Sequence, residues 1–401
     1  MTNSTTENAG GARGADKITE LLTRGVEEVI SHDDLEKKLR SGAKLRIKFG
    51  TDPTSPNIHL GRSVPILKLK DFQDLGHKIV FIVGDFTGTI GDTSDKESER
   101  PMISEETVKE NMKTYIEQVS KIIDINSAEI YYNSKWLGKL GYSEIGRQAD
   151  VFSINDFISR DNIAKRLSEG KRVSLREVMY PLMQGYDSVE IKADVEIGGT
   201  DQRFNILAGR DLQRLYKQEP QNIVMNPLIE GLDGRKMSSS YGNTINLFDS
   251  PNDMFGKLMT VNDELIIKYF TMLTRVDLDI VDGYKKEMES GVNPRDIKIK
   301  LGHAIVKMYH GEKEADDAVE YFVNTFTKKE IPTDVPEFKP TDYNIVAVLI
   351  ESGLVPSKGE ARRVLDQGGI KIDGEVITDS SYIIPTGVIL QKGKIHFLRI
   401  I

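Results

Sequence analysis

Residues 44–84 constrain this chain most, because a strand, a helix and a second strand follow one another there with little between them. "KLRIKFG" (44–50) alternates apolar and polar residues and reads as a strand. Val64, Leu67, Phe72 and Leu75 then mark one face of a helix that stops at Gly76. "KIVFIVG" (78–84) is continuously apolar and rich in β-branched residues, as strands are when both faces of a parallel sheet are covered. Together these make a βαβ unit with a right-handed connection, and they predict an α/β fold. Ligands of such sheets bind beyond the carboxyl ends of the strands. The two loops at that edge are "GTDPTSPNIHLG" (50–61) and "GDFTGTIGD" (84–92).

The pattern before and after this unit is mostly helical. A helix is expected over 17–40, and helical patterns dominate 104–186. "ADVEIGG" (193–199) reads as a strand that leads into a helix at "DQRFNILAGRDLQRLY" (201–216). "QNIVMNPLIEGLDGRKMSSSYGN" (221–243) reads as strand and turn, and 251–328 as helices. "KKEIPTDVPEFKPTD" then places Pro332, Pro336 and Pro340 close together, which is linker composition, before a final module. With 401 residues, two or three domains are expected.

A net charge of −8 argues against a polyanion-binding surface spread over the whole molecule, so any nucleic-acid contact must be a local patch. The absence of cysteine excludes disulfides, thiolate chemistry and cysteine-type zinc sites, and fits a reducing cytoplasm. The first residues, "MTNSTTENAGGARGAD", lack the apolar stretch of a secretory signal and read as a disordered tail. The longest uninterrupted aliphatic and aromatic run, "IVFIV", is far too short to span a membrane. A soluble, cytoplasmic protein is expected.

Four stretches carry residues suited to chemistry. In "PNIHLGRS" (56–63), Gly61 lets a ligand lie on bare backbone at a helix N-terminus, where unpaired N–H groups favour anions. His59 can donate to a phosphate oxygen; a surface loop is the plainer reading of these residues alone. In "RKMSSS" (235–240) a lysine and three hydroxyls follow a turn, making either a cationic loop for a triphosphate or a solvated turn. Tyr180, Gln184 and Asp187 fall at i, i+4 and i+7 on one helix face, which is a pocket wall if the helix crosses the sheet edge and a wet face otherwise. Pro181 is expected to kink that helix. "GGTDQ" (198–202) offers close backbone approach, or simply a capped helix start.

The first two stretches together are the paired signatures of class I aminoacyl-tRNA synthetases. The chain resembles the bacterial tyrosyl-tRNA synthetases through "KFGTDPTSPNIHLG", "GDFTGTIGD", "YPLMQGYDSVEIKADVEIGGTDQRFN", "GLDGRKMSSS" and "GLVPSKGEARRVLDQGGIKIDGEVI". The resemblance implies a tyrosine–tRNA ligase. Such an enzyme makes tyrosyl-adenylate from tyrosine and ATP, then transfers the tyrosyl group to the terminal ribose of tRNA(Tyr).

The architecture implied is a Rossmann-like parallel-sheet catalytic domain with a helical insertion (16–246) after a tail (1–15). An α-helical anticodon-side domain (247–328), a linker (329–341) and a small α+β S4-like RNA-binding domain (342–401) follow. A homodimer is implied, with magnesium riding on the ATP phosphates and no dedicated protein metal site.

By the same resemblance, Asp187 accepts the hydrogen bond of the substrate phenol, and Tyr180, Gln184 and Asp92 hold its ammonium. Gln202 reaches its carboxylate, and Lys48, Gly50, Asp52 and Thr87 complete the tyrosine site. ATP falls to Asp52, His59, Gly61, Arg62, Gly199, Asp201, Lys236, Met237 and Ser238, with Thr54, His59, Lys236 and Ser239 assisting the chemistry. Three positions depart from the family pattern: Arg62 stands where a second histidine is common, Ser239 where a second lysine is, and Lys48 where many members carry a tyrosine that helps bind the phenol.

In the final module, Lys358, Arg362, Arg363 and Lys371 form either a small cationic patch for RNA phosphates or a solvated helix face. The alternatives to a tyrosine enzyme are a class I relative of other specificity, such as one for tryptophan, a nucleotidylyltransferase of the same fold, or a non-catalytic RNA-binding protein.

Overall fold

The structure is a computed structural model, and it describes residues 17–92, 102–326, 335–393 and 396–401. The expected tail and residues 329–334 of the expected linker lie outside these. Six strands form the larger sheet: β1 (Glu28–Ile30), β2 (Arg46–Thr51), β3 (Lys78–Val83), β4 (Glu129–Tyr132), β5 (Val195–Gly199) and β6 (Asn222–Asn226). Their order is β1-β6-β5-β2-β3-β4, parallel throughout except for β1, which pairs antiparallel with β6. The βαβ unit is present as expected, with its helix at Leu60–Asp74. Strand order reverses between β2 and β5, so the loops after these two strands diverge and leave a crevice at their carboxyl ends.

The helix expected over 17–40 is two helices, 17–23 and His32–Arg40, with β1 between them. Gly25 and Ser31, both at positive φ, make the bends at either side of that strand. β4 likewise interrupts the stretch expected to be helical. The segment expected as linker contains a short strand, β7 (Glu337–Phe338). It joins the C-terminal sheet of β8 (Ile370–Ile372), β9 (Glu375–Val376), β10 (Ile389–Lys392) and β11 (His396–Ile400) in the order β7-β11-β10-β8-β9.

One apolar core runs from the sheet into the helices of 251–326, since Ile47, Phe81, Phe255, Phe270, Leu301 and Ile305 belong to the same buried cluster. The C-terminal module has its own, built from residues such as Ile345, Leu349, Leu365, Ile370 and Leu390. Among the described residues no helix is long and apolar enough to cross a membrane.

The helix Leu175–Ile191 positions the polar stripe. A capping box starts it, in which Ser174 and Glu177 each satisfy the other's backbone N–H. Glu177 is buried and also takes the guanidinium of Arg166 at 2.6 Å. Pro181 lies inside the helix without ending it.

Candidate active site

The crevice holds a cavity of about 260 Å³. Every residue expected to handle tyrosine or ATP lines it except Lys48. Its floor is a connected chain of hydrogen bonds. Tyr180 Oη donates to Asp52 Oδ2 at 2.8 Å, and Thr87 Oγ1 donates to Asp52 Oδ1 at 2.7 Å. Asn133 Nδ2 donates to Thr87 Oγ1 at 2.9 Å and to Asp187 Oδ2 at 3.3 Å. Trp136 Nε1 closes the chain on Asp187 Oδ1 at 2.7 Å. Asp187 is only 4% exposed, and burial pushes its carboxyl up to about 7, partly offset by Lys48, Trp136 and Asn133. Two donors occupy two of its four acceptor positions, so it can still accept from a ligand hydroxyl.

Asn133, Trp136 and Gly84 were not expected in the site. Trp136 is the chain's single tryptophan, the one signal that could have drawn attention to it. A side chain at position 84 would put Cβ 2.1 Å from Asp52 Oδ1 and 2.4 Å from Thr87 Oγ1, so only glycine admits the floor network.

At the opposite side stand the two motif loops. His59 caps the helix Leu60–Asp74, its Nδ1 accepting from the Arg62 backbone N–H at 3.3 Å. With Nδ1 an acceptor, the ring proton sits on Nε2, which is the one nitrogen left to donate. Burial, with the charges of Arg62 and Lys236, holds His59 neutral down to about 3. Arg62 reaches Tyr115 Oη at 2.7 Å and Thr54 Oγ1 at 3.1 Å, which fixes a guanidinium beside Thr54. A Cβ at Gly61 would lie 3.0 Å from the His59 ring.

The second loop touches the first directly, since the Gly61 N–H donates to the buried Met237 sulfur at 3.2 Å. Asn243, another residue not expected, ties that loop by accepting from the Ser238 N–H at 2.9 Å and donating to the Lys236 carbonyl at 3.1 Å. Lys236 Nζ lies 2.9 Å from Asp201 Oδ2, and Ser239 is exposed at the rim. Gln202 Nε2 donates to Asp92 Oδ2 at 2.8 Å, while Gly50, Gln184 and Gly199 border the space between floor and loops.

Lys48 is the correction. Its side chain is fully buried under the cavity, beside Glu196, and does not line the space a ligand would occupy. The alternation of "KLRIKFG" therefore marks no wet face, because helices cover both sides of β2. Lys358, Arg362 and Arg363 are exposed on the helix Lys358–Asp366, where Arg363 pairs with Glu360 at 2.7 Å. Lys371 is half-buried in β8, and none of the four borders the cavity. Among the described residues one group has metal-ligand spacing: His303, Glu312 and Asp316 at the junction of two helices. There His303 pairs with Asp316 at 2.9 Å and Lys307 also reaches Glu312.

Residues 40–327 match the family of class I tRNA synthetases (W and Y), and residues 345–390 match the S4 domain. The chain is 46% identical over 385 residues to the tyrosine–tRNA ligase of Thermotoga maritima, covering 95% of this chain and 96% of that protein. It is 44% identical to that of Mannheimia succiniciproducens, covering 94% and 97%. The fold superimposes on a truncated mitochondrial tyrosyl-tRNA synthetase of Aspergillus nidulans with a TM-score of 0.67, at 22% identity, covering 79% of this chain and 98% of that one. It also matches the tyrosyl-tRNA synthetase of Archaeoglobus fulgidus in complex with L-tyrosine, with a TM-score of 0.61 at 21% identity, covering 76% and 99%. A parallel sheet open at the β2/β5 crevice, two motif loops in contact there and near full-length similarity to such enzymes lead to one assignment: the chain belongs to the class I tRNA synthetase family of the tryptophan and tyrosine group.

Proposed function

We propose that this protein is a tyrosine–tRNA ligase. The observation that carries the reading is the pairing, within one cavity, of a buried carboxylate with spare acceptor capacity and a cluster of phosphate-seeking donors. Asp187 accepts the phenol hydroxyl, and a phenylalanine ring leaves it without that partner, at a cost of about 1–3 kcal/mol or more. Tyr180, Gln184 and Asp92 take the substrate ammonium, with Gln202 toward its carboxylate. The carboxylate is already ionised at neutral pH and attacks the α-phosphorus of ATP without a general base.

Charge then moves onto the leaving pyrophosphate, where Thr54, neutral His59, Arg62 and Lys236 supply donors, with Ser239 at the rim. Each well-aimed donor of this kind contributes roughly 3 kcal/mol to the transition state. Asp201 takes the ribose hydroxyls in this reading, and Lys236, now 2.9 Å from Asp201 Oδ2, exchanges that partner for phosphate when ATP binds. Gly61 and Gly199 give the nucleotide room to lie on backbone, beside Asp52, Met237 and Ser238. Magnesium would arrive with ATP and neutralise its phosphates.

The tyrosyl group would pass from the adenylate to the terminal ribose of tRNA(Tyr). Lys358, Arg362, Arg363 and Lys371 on the S4 module are the candidate contacts to tRNA phosphates. We infer a homodimer from apolar side chains left in solvent between β4 and the first turn of the site helix: Tyr142 is 94% exposed and Leu175 69%, with Ile154 and Leu167 also exposed. Pyrophosphate exchange across the twenty amino acids tests the whole reading. Tyrosine alone should drive exchange; exchange driven by tryptophan, or by none of them, would refute it.

A further inference from the structure

Lys48 sits in the middle of β2, flanked by β5 and β3, on the side that faces the helix Leu175–Ile191. A buried ammonium is stable only when its donors are all taken, and here there are three partners for three N–H groups. They are the Gln184 carbonyl at 2.9 Å, Ser188 Oγ at 2.7 Å and Glu196 Oε1 at 2.9 Å. Ser188 in turn donates to Glu196 Oε2 at 3.0 Å. The two helix contacts bracket Asp187 in sequence, so the turn that presents Gln184 and Asp187 cannot rotate without breaking them.

We propose that Lys48, clamped to Glu196, is a positioning and specificity-determining residue for the phenol end of the substrate, fixing the turn 184–188 and placing a positive charge behind the Asp187 carboxylate. This rests on reading the cavity as a tyrosine site. The role falls to a group beneath the cavity and touches no substrate. The groups facing Asp187 are Lys48 from β2, Glu196 from β5, Asn133 and Trp136 from beyond β4, and Tyr180 from its own helix. Of the two charges below it, Lys48 draws the carboxyl down and Glu196 pushes it up, the lysine more strongly.

The test is tyrosine-dependent pyrophosphate exchange, with kcat and KM followed from acid to alkaline pH. The chains compared are the parent, Ser188→Ala, Glu196→Gln and the double variant Lys48→Met/Glu196→Gln. The double variant replaces the buried pair with neutral side chains of similar size, so no orphaned charge remains. In the parent, kcat/KM should fall as pH drops through about 7, where Asp187 takes up its proton.

That acid limb should move up by about one pH unit in the double variant and move down in Glu196→Gln. Selectivity for tyrosine over phenylalanine at neutral pH should drop about tenfold in the double variant. Ser188→Ala, which keeps both charges, should raise KM for tyrosine several-fold, leave kcat nearly unchanged and leave the limb in place.

Limbs that stay put in both charge variants overturn the proposal, as does a loss uniform across pH. If the charge variants do not fold, an unaltered KM in Ser188→Ala overturns it. A parent chain without tyrosine-dependent exchange refutes the cavity reading first; a parent that exchanges, with variants whose limbs do not move, refutes only the role of Lys48.

Discussion

His59 stays neutral down to about 3, whereas Asp187 stays protonated up to about 7, and both displacements come mainly from burial. Their effects on stability have opposite signs. Between about 3 and 6.5 the unfolded chain protonates His59 and the native one does not, so its contribution is fully present above 6.5 and is lost as pH falls. Between 3.8 and about 7 the native chain holds a proton on Asp187 that the unfolded chain releases, so that contribution is lost as pH rises.

In the window where both apply, each group contributes a slope of about 1.4 kcal/mol per pH unit, and the two nearly cancel. His59→Gln should therefore make unfolding free energy rise toward acid relative to the parent, and Asp187→Asn should make it fall, each by about that slope in urea titrations between pH 4 and 6. Parallel curves would refute the burial argument. Trp136→Phe deletes the shortest donor to Asp187, at a cost of about 1–3 kcal/mol, and should raise KM for tyrosine about tenfold in the exchange assay.

At this scale the sequence was partly legible. Asp187 could be found because it shares a helical stripe with Tyr180 and Gln184. Asn133 and Trp136 arrive from beyond a strand whose pattern was hidden, and no spacing rule links them to Asp187.

The helix Leu175–Ile191 must hold its register for the stripe to face the cavity, and its first turn is tied down by Glu177. This carboxylate accepts from the Ser174 backbone N–H at 3.0 Å and from Arg166, whose side chain is buried with it. Glu177→Ala leaves the Arg166 guanidinium buried without its counter-charge and removes half of the capping box. It should cost about 3–5 kcal/mol in denaturant unfolding. Replacing Arg166 and Glu177 together with apolar residues should recover most of that loss; equal losses in the single and double variants would show that packing, not charge, holds the turn.

Elements of this length announce themselves, since their apolar residues recur over several turns. β1, β4 and β7 do not: they have three, four and two residues and sit at the sheet edges, where partners far along the chain select them. β2 shows a different limit. Its alternation marks the strand correctly but not the burial of Lys48, because Gln184, Ser188 and Glu196, which take its three donors, lie far along the chain.

For the whole molecule, two surfaces and a C-terminal core closed on itself set what can be separated. Leu175, at the first position of its helix, is exposed in the single chain, so Leu175→Asp places a carboxylate where the helix dipole favours it and should not disturb the fold. If that surface joins two copies, the variant should sediment at half the mass of the parent at equal concentration; identical masses would remove the surface from the interface. The C-terminal module closes its own core from residues 345–400, whereas the core around the cavity draws on none of them. Ending the chain before residue 335 should therefore leave tyrosine-dependent pyrophosphate exchange within about twofold of the parent, since the floor network and both motif loops keep every partner.

Transfer to tRNA should suffer far more. In the full chain, if the exposed patch on the helix Lys358–Asp366 meets tRNA phosphates as proposed, replacing either Lys358 or Arg362 with glutamine should lower the slope of log affinity against log salt by about one. Removing the module should erase those contributions together. Exchange and transfer that fall in parallel would mean the module supports the cavity itself, and the division of labour between the two cores would have to be abandoned.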